Sequence, residues 1–346
     1  MTREALAELL DDQPSYRVGQ VWEGLHAPGK DLLELSNVPR AVRERLDAAL
    51  PRALTPVAEA VSDDALTTKW LYELVGGARV ETVLMHYRDR TTVCVSTQAG
   101  CAMACSFCAT GQAGFERHLS VGEIVEQVIE ARRVALPRRL SNVVFMGMGE
   151  PLANYDATWG AVERLHADLG LSARHLTVST VGHVPGIRRL ASEGLPVNLA
   201  VSLHLADDDR RNELVPINRR YPLAVLAEAC HDYLEAKGRR LSFEWALIDG
   251  VNDTDLDARQ LATYARPLRA HVNLIPLNPT PGYPTRGTPP ERVIAFRDLL
   301  RSLGINATVR QNRGTEIDAA CGQLRASEEP STPVATPTKK LNAPGP

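Results

Sequence analysis

Three features are scarce in this sequence of 346 residues: aromatic side chains (5%), cysteines (six) and net charge (−3). No apolar run approaches the ~20 residues that a membrane-spanning helix needs, so we expect no membrane association. The first twelve residues are acidic and amphipathic and lack the apolar core of a signal peptide, which predicts a cytoplasmic protein. A net charge of −3 gives no overall support for nucleic-acid binding.

Despite the low net charge, pairs of adjacent arginines occur at six places in the sequence. They are Arg132–Arg133, Arg138–Arg139, Arg188–Arg189, Arg210–Arg211, Arg219–Arg220 and Arg239–Arg240. Taken singly, each pair is typical of a solvated helix end or loop. Charge alone therefore does not predict an enzyme that acts on RNA.

Half of the cysteines are concentrated in one short stretch, at Cys101, Cys105 and Cys108. Thiolates at this x3/x2 spacing can bind three corners of an iron–sulfur cube from a single loop, whereas most such clusters have four cysteine ligands. The remaining iron would be open to a small chelating molecule. The spacing therefore favours one-electron catalysis.

Two other interpretations of the triplet stay open. A zinc site normally needs four ligands in paired C-x2-C spacing, and His118, ten positions after Cys108, is not at a usual distance for a fourth. A disulfide within the triplet would leave one thiol over and would suit a secreted protein. An iron–sulfur cluster is favoured over zinc and over redox-active thiols.

From about residue 90 apolar strands alternate with amphipathic helices. Strands are predicted at 92–97, 142–146, 176–180, 198–202, 241–248, 271–275 and 306–311. Helices are predicted at 121–134, 158–169, 187–193, 222–237, 255–265 and 290–303, the first of them opened by a capping box at Ser120 and Glu123. This alternation predicts an α/β fold with a parallel sheet, in the form of a partial (βα)6 TIM-like barrel.

The rest of the chain divides into three parts around this core. Residues 1–68 are predicted to be a small helical accessory domain, and residues 69–88 a β-hairpin connector, because Gly76-Gly77 suits a two-residue turn. The barrel core takes residues 89–324 and includes the segment around Cys321. Residues 325–346 form a proline-rich tail that is predicted to be disordered.

Unusual polar segments follow the predicted strands one after another. They are the cysteine loop, Gly147-Met-Gly-Glu-Pro151, Ser179-Thr180, Ser202-Leu-His204 and Asn278-Pro279. In a parallel barrel the carboxyl ends of the strands meet at one edge, so these segments predict a ligand site. A glutamate after a glycine turn can accept hydrogen bonds from an ammonium group, and turn amides can hold a carboxylate, which matches the amino-acid end of S-adenosylmethionine. The glycine spacing does not fit a dinucleotide site.

Taken together, these motifs resemble the radical S-adenosylmethionine superfamily and, within it, the bacterial adenine-C2 RNA methyltransferase family (RlmN). The matching strings are Glu81-Thr-Val-Leu, Cys94-Val-Ser-Thr-Gln-Ala-Gly-Cys101, Ser202-Leu-His204, Val215-Pro-Ile-Asn218, Asn273-Leu-Ile-Pro276 and Arg313-Gly-Thr-Glu-Ile-Asp-Ala-Ala-Cys321-Gly-Gln-Leu. The likeness covers residues 69–324. It implies methylation of C2 of adenosine 2503 in 23S rRNA and of adenosine 37 in tRNA.

The resemblance also implies cofactors, partners and residue roles. It implies a [4Fe-4S] cluster with one open iron, two S-adenosylmethionine molecules per turnover, an electron donor such as flavodoxin, and a monomer. Cys321 would carry the methyl group, Cys94 would resolve the intermediate through a transient disulfide, and Glu81 would accept the proton from C2. The cluster ligands would be Cys101, Cys105 and Cys108. The S-adenosylmethionine contacts would be Gly149, Glu150, Ser179, Ser202, Leu203, His204 and Asn278.

Without the resemblance, several of these residues have simpler interpretations. Cys94 in an apolar strand is typical of core packing, as is Cys230 on a predicted helix. Glu81 would ordinarily lie on the solvent side of its strand, but in an apolar pocket its pKa would rise and it could act as a base. Three other functions stay open: adenine-C8 methylation by a sister resistance enzyme, radical chemistry on a small molecule, and a non-enzymatic RNA-binding metalloprotein.

Overall fold

The computed structural model describes residues 2–26, 30–278, 280, 283, 286–310, 314–320, 322–324 and 326. The helices in these residues are α1 Arg3–Leu9, α2 Tyr16–His26, α3 Arg40–Ala49, α4 Ala109–Gln112, α5 Val121–Val134, α6 Tyr155–Ala167, α7 Val184–Ser192, α8 Asp208–Leu214, α9 Leu223–Lys237, α10 Asp255–Ala265 and α11 Pro290–Ser302. The strands are β1 Leu54–Val61, β2 Thr67–Leu74, β3 Arg79–His86, β4 Thr91–Cys94, β5 Gln98–Gly100, β6 Phe115–His118, β7 Leu140–Phe145, β8 Leu176–Thr180, β9 Asn198–Ser202, β10 Leu241–Leu247, β11 His271–Pro276 and β12 Ala307–Val309. None of the described helices is both long enough and apolar enough to cross a bilayer.

Ten of the strands form one sheet in the order β1-β2-β3-β4-β7-β8-β9-β10-β11-β12. Pairing is antiparallel from β1 to β4 and parallel from β4 through β12, with helices in the crossovers. A parallel neighbour requires such a crossover, and the amphipathic helices of the sequence supply it. The predicted α/β fold, with a parallel partial barrel, is confirmed.

The register of the strands places one set of side chains on a common inner face. Cys94 pairs with Val83 on one side and with Val144 on the other, and Ser202 pairs with Glu244. Because alternate residues of a strand point to the same face, Glu81 joins this set two residues before Val83. The opposite face carries aliphatic residues that pack under the helices, including Val93, Val143, Val178, Leu199 and Leu274, all fully buried.

The predicted hairpin is present as β2 and β3. The structure differs from the prediction in the length of the turn and in the element that pairs with β2. Leu74 N–H donates to Ala78 O at 2.8 Å, so the turn contains three residues, 75–77, instead of two. A further strand, β1, pairs with β2, although the sequence analysis placed residues 54–61 in the helical accessory domain. Pro56 and the register shift between Pro56 and Ala58 interrupt the alternation that would otherwise mark β1 as a strand.

The three N-terminal helices have a hydrophobic cluster of their own. It contains Leu6, Leu10, Val21, Trp22, Leu32, Leu35, Val38, Val42 and Leu46. Polar contacts attach it to the barrel, where Trp22 Nε1 donates to Asp168 Oδ1 at 3.2 Å and the Arg164 guanidinium lies 4.8 Å from the Trp22 ring centroid. These helices therefore lie against α6, on the outer layer of the barrel.

Gln127 on α5 joins the hairpin to the segment that leads into the cysteine loop. The predicted capping box at Ser120 and Glu123 starts this helix. Gln127 Oε1 accepts from Thr82 Oγ1 at 2.8 Å and from Ser96 N–H at 2.9 Å, and its Nε2 donates to Ser96 O at 3.0 Å. All three residues are fully buried, so water cannot replace these hydrogen bonds.

We expect Gln127→Met to lower the free energy of unfolding by about 2 kcal/mol, because it leaves the buried Ser96 N–H and C=O without these partners. Urea unfolding followed by circular dichroism measures the change. Gln112→Met, at an exposed position, is the matched control and should leave the midpoint within error. Equal midpoints for the two variants would contradict this role of Gln127.

Candidate functional site

A cavity that is partly open to solvent lies at the carboxyl ends of the parallel strands. Most of the predicted site residues line it, namely Cys101, Cys105, Cys108, Gly149, Glu150, Ser179, Ser202, His204 and Asn278. Leu203 lies behind the wall with its side chain fully buried, and its N–H donates to Glu244 O at 3.0 Å. The structure thus brings together residues from five segments that are far apart in the sequence.

The cysteine loop is closed by backbone contacts, which bury Cys105 and leave Cys101 and Cys108 half-buried. Cys101 N–H donates to Gly114 O at 2.7 Å, and Cys108 N–H donates to Cys105 O at 3.2 Å. Burial raises the pKa of Cys101 to about 12 and the pKa of Cys105 well above its usual range. Both thiols are therefore neutral at pH 7 on their own, and the charge of a bound metal would deprotonate them. This donor set fits an iron–sulfur cluster.

The described residues contain no group of three His, Cys, Asp or Glu side chains arranged to hold one metal ion. The three cysteines nevertheless line one cavity, and the three thiols interact electrostatically. In a cluster each thiolate binds its own iron, so the sulfur atoms need not converge on a single point.

Glu150 is held at the cavity wall by main-chain amides. Its carboxylate accepts from Leu152 N–H at 3.1 Å and from Val181 N–H at 2.9 Å, and only 2% of the residue is exposed. Burial raises the pKa of Glu150 to about 7, although these hydrogen bonds oppose the rise. The turn before it needs glycine, since Gly149 has a φ of +105° and an added Cβ would lie 2.6 Å from Gln98 Cβ. Glu150 is thus a fixed acceptor that a cationic ligand would ionise.

His204 contributes a neutral imidazole to the same wall. Ala246 N–H donates to its Nδ1 at 3.0 Å, which assigns the ring proton to Nε2. Burial, with a smaller effect of Arg211, lowers the pKa of His204 to about 3. Its backbone is also constrained, with a φ of +60° and a carbonyl that accepts from Asn252 Nδ2 at 2.7 Å. Both the ring and the main chain of His204 are therefore fixed.

Glu81 is buried on β3, but not in an apolar pocket as the sequence analysis considered. Its Oε1 lies 3.0 Å from Lys69 Nζ, and the two side chains are 3% and 12% exposed. Lys69 Nζ also donates to Asp318 O at 3.3 Å, and Ala326 N–H contacts Glu81 Oε2 at 3.4 Å. Sequence reasoning missed Lys69, although its position on β2 is diagonal to Glu81 in the hairpin register.

Cys321 lies outside the described residues, as do Arg313 and Pro279. The residues next to Cys321 contact the cysteine loop: Gly322 O accepts from Ala109 N–H at 2.9 Å, and Leu324 O accepts from Thr110 Oγ1. Gly322 and Leu324 also line the cavity. The segment therefore passes between the cysteine loop and the hairpin that carries Glu81.

The two other cysteines of interest differ in position. Cys94 ends β4 on the inner face, 7% exposed, in the same sheet face as Glu81. Cys230 on α9 is fully buried in the main hydrophobic core, as expected for a packing residue.

Comparisons with known proteins agree with this geometry. The family described as "Radical SAM superfamily" matches residues 95–262. A probable dual-specificity RNA methyltransferase RlmN from Frankia casuarinae is 55% identical over 91% of this chain and 78% of that protein. A protein of the same name from Chloroflexus aurantiacus is 49% identical over 98% of this chain and 94% of that protein. This chain belongs to the RlmN family.

A solved structure supports the assignment at the level of the whole fold. The crystal structure of a radical SAM methyltransferase from Sphaerobacter thermophilus has 50% identity and a TM-score of 0.90, covering 94% of this chain and 96% of that one. The RlmN resemblance and the radical S-adenosylmethionine fold are therefore confirmed.

The structure also explains a string of the RlmN family to which the sequence assigned no role, Val215-Pro-Ile-Asn218. Asn218 Oδ1 accepts from Arg211 Nη1 at 2.7 Å. Arg211 is fully buried, and its guanidinium also donates to Leu203 O at 2.9 Å, Val181 O at 2.8 Å and Ser202 O at 3.3 Å. One buried cation thus ties the loops after β8 and β9 together behind the cavity.

We expect Arg211→Met to lower the free energy of unfolding by about 3 kcal/mol, because these partly buried carbonyls lose a charged donor. Arg211→Lys should recover only part of this loss, since one ammonium cannot span acceptors on separate loops. Thermal unfolding measures both variants. Arg188→Met, at a half-exposed side chain, is the control. If it lowers the free energy of unfolding as much as Arg211→Met does, Arg211 does not hold the two loops together.

Proposed function

We propose that this RlmN family member methylates C2 of adenine in RNA, with an iron–sulfur cluster and S-adenosylmethionine as cofactors. The observation that carries the proposal is the single cavity lined by the three cysteines of the loop, by Glu150 and by Gly322 and Leu324, which closely follow Cys321 in the sequence. The cluster, the carboxylate of Glu150 and the thiol of Cys321 would then act together on one reacting carbon.

The residues that would hold the cofactors follow from the cavity wall. Cys101, Cys105 and Cys108 would bind three irons and leave the fourth open to S-adenosylmethionine. Glu150 would bind its ammonium group, and the remaining contacts would come from the four other segments at the carboxyl edge: Gly149, Ser179, Ser202, Leu203, His204 and Asn278. When bound, these groups supply the one-electron chemistry that removes hydrogen from a methyl group.

The chain's own residues would overcome the low reactivity of C2, a carbon that has no lone pair with which to attack a sulfonium methyl. Cys321, as a thiolate, would take the methyl group from one S-adenosylmethionine by nucleophilic displacement. A second S-adenosylmethionine would be consumed when that methyl carbon is activated and joined to C2.

Two residues on the inner face would complete the reaction. Glu81 would accept the C2 proton, and its contact with Lys69, which also donates to Asp318 O, holds its carboxylate beside the segment that leads to Cys321. Cys94, as a thiolate, would attack the sulfur of Cys321 and break its bond to the methylene carbon, which would take up a proton and leave as the methyl group of the RNA. An external reductant would then reopen the Cys94–Cys321 disulfide.

The substrates and partners belong to the same proposal. Adenosine 2503 of 23S rRNA and adenosine 37 of tRNA are the proposed targets, and flavodoxin is a suitable electron donor for a monomeric enzyme. A target base must leave its stack to reach a cavity inside a barrel. The N-terminal helices, attached to α6 through Trp22 and Asp168, are proposed to help hold the RNA.

We expect anaerobic turnover of Cys94→Ala on an rRNA fragment to accumulate a covalent protein–RNA adduct, because the bond between Cys321 and the base cannot be released. Cys321→Ala should give neither adduct nor methylated RNA, and Cys230→Ala, in the core, should turn over like the wild type. Denaturing gels and nucleoside mass spectrometry report both products. Methyl at C8 would overturn the C2 proposal, and turnover by Cys321→Ala would overturn the route through this thiol.

The raised pKa of Glu150, about 7, predicts a pH-dependent affinity for S-adenosylmethionine. Below pH 7 the buried carboxyl group is protonated and neutral, and above it the carboxylate attracts the ligand's ammonium group. Between pH 6 and pH 8 we expect binding to tighten by up to about tenfold as Glu150 ionises. Calorimetry on the reconstituted enzyme measures the affinity. Glu150→Gln should show only the ligand's own titration, and a pH dependence as steep as that of the wild type would rule out Glu150 as its source.

A further inference from the structure

Arginines precede the parallel strands at the edge of the barrel opposite to the cysteines. Arg90 comes directly before β4, Arg139 before β7 and Arg240 before β10, and Arg174 lies two residues before β8. Because these strands are parallel, their amino ends meet at one edge. Two of the arginine pairs of the sequence, at 138–139 and 239–240, are thereby brought to the same end of the molecule.

A second cavity, partly open to solvent, lies at this end. Five arginines line it: Arg90, Arg174, Arg239, Arg240 and Arg310. The one carboxylate among the described lining residues is Glu244, so the formal charge of the lining is +4. The whole chain has a charge of −3, and the cavity is therefore a local concentration of positive charge.

Three of these arginines have no carboxylate partner in the part of the chain that the structure describes. Arg90 is paired with Asp89 at 3.2 Å and Arg310 with Glu244 at 3.4 Å, whereas Arg174, Arg239 and Arg240 form no ion pair there. Arg239 donates to Asn198 Oδ1 at 3.0 Å, and its buried Nε has no partner among the described atoms. Guanidinium groups that are positioned but not neutralised suit phosphate binding.

The two cavities adjoin each other inside the barrel. Met146, Glu244 and Arg310 line both, so the arginine end and the end that carries the cysteines share a wall formed by these side chains. Polar side chains continue between them, with Asn273 Nδ2 donating to Glu244 Oε1 at 2.9 Å and Thr308 Oγ1 donating to Asn273 Oδ1 at 3.0 Å. A splayed nucleotide matches this arrangement, because it has a polar base edge and a charged backbone.

We propose that the arginine end of the barrel binds the phosphates of RNA next to the target adenosine, and that the base enters the barrel from this end. This inference rests on the proposed function, because it assigns the RNA-binding surface of that site. Arg174, Arg239 and Arg240 are binding residues here, and no part of the chemistry depends on them.

The test compares two matched double variants that remove the same charge. Arg239→Gln/Arg240→Gln changes the proposed surface, and Arg188→Gln/Arg189→Gln changes an adjacent pair on α7 whose partners are Glu228, Asp232 and Asp156. The probe is an RNA hairpin with the target adenosine in its loop. Fluorescence anisotropy measures its affinity without S-adenosylmethionine, over a series of salt concentrations.

The first variant should lose affinity about tenfold, and its plot of log K against log salt should be shallower by about 1.4, for two lost contacts to single-stranded phosphates. The control pair should match the wild type. Arg174→Gln, at an exposed residue without an ion pair, provides a second variant. Arg174 contacts Asn198 through its main-chain carbonyl, which the substitution leaves in place, and the slope should fall by about 0.7. Binding by Arg239→Gln/Arg240→Gln or Arg174→Gln that equals the wild type, or an equal loss in the control pair, would overturn the inference.

Because binding is measured without the methyl donor, the result is separable from the proposed function. Wild-type methylation of C2 combined with unchanged RNA affinity in both arginine variants would refute the docking surface and leave the function standing.

Discussion

The common direction of seven neighbouring strands is the constraint on which the rest of this structure depends. Parallel pairing forces every connection to return across the outside of the sheet, and each strand then begins at one edge and ends at the other. Loops that follow strands therefore collect at one edge, where the cysteine loop, Glu150 and His204 line a single cavity. Segments that precede strands collect at the other, where Arg90, Arg174, Arg239 and Arg240 line a second cavity.

At the cofactor edge, main-chain groups hold the buried ionisable side chains in place. Glu150 accepts from two amides, His204 accepts from a third, and Arg211 donates to three carbonyls. A buried charge without partners would cost more than these loops could offset, so each contact also fixes the backbone around it. The wall of the cavity is consequently set before any ligand arrives, which reduces the ordering that binding must impose.

The hairpin contributes a different kind of control. Lys69 contacts both Glu81 and the carbonyl of Asp318, only three residues before Cys321. Through Lys69, the position of Asp318 is thus linked to the carboxylate of Glu81 on β3. For the proposed route through Cys321 such a reference point matters, because small displacements between reacting atoms are costly.

Local patterns in the sequence were sufficient for the parallel core, the capping box at Ser120 and most of the cavity. These features depend on residues close in the sequence, and tertiary contacts did not change them. The strand at 54–61 was missed because Pro56 and a bulge break its alternation. Lys69 and Arg211 were missed for another reason: their partners lie on other strands and loops, and a lysine or arginine in isolation is typical of a solvated surface.

The arginine pairs show how topology changes the meaning of a local pattern. A loop that carries Arg239 and Arg240 is unremarkable by itself, and the acidic excess of the whole chain argues against RNA binding. Exposed charges separated by more than about 8–10 Å are largely screened at physiological salt, so a phosphate at the barrel end would respond to the arginines around it and hardly to carboxylates elsewhere. The parallel sheet gathers cations from separate crossovers around one cavity, and the charge that matters for RNA is the charge of that cavity, +4 against −3 for the chain.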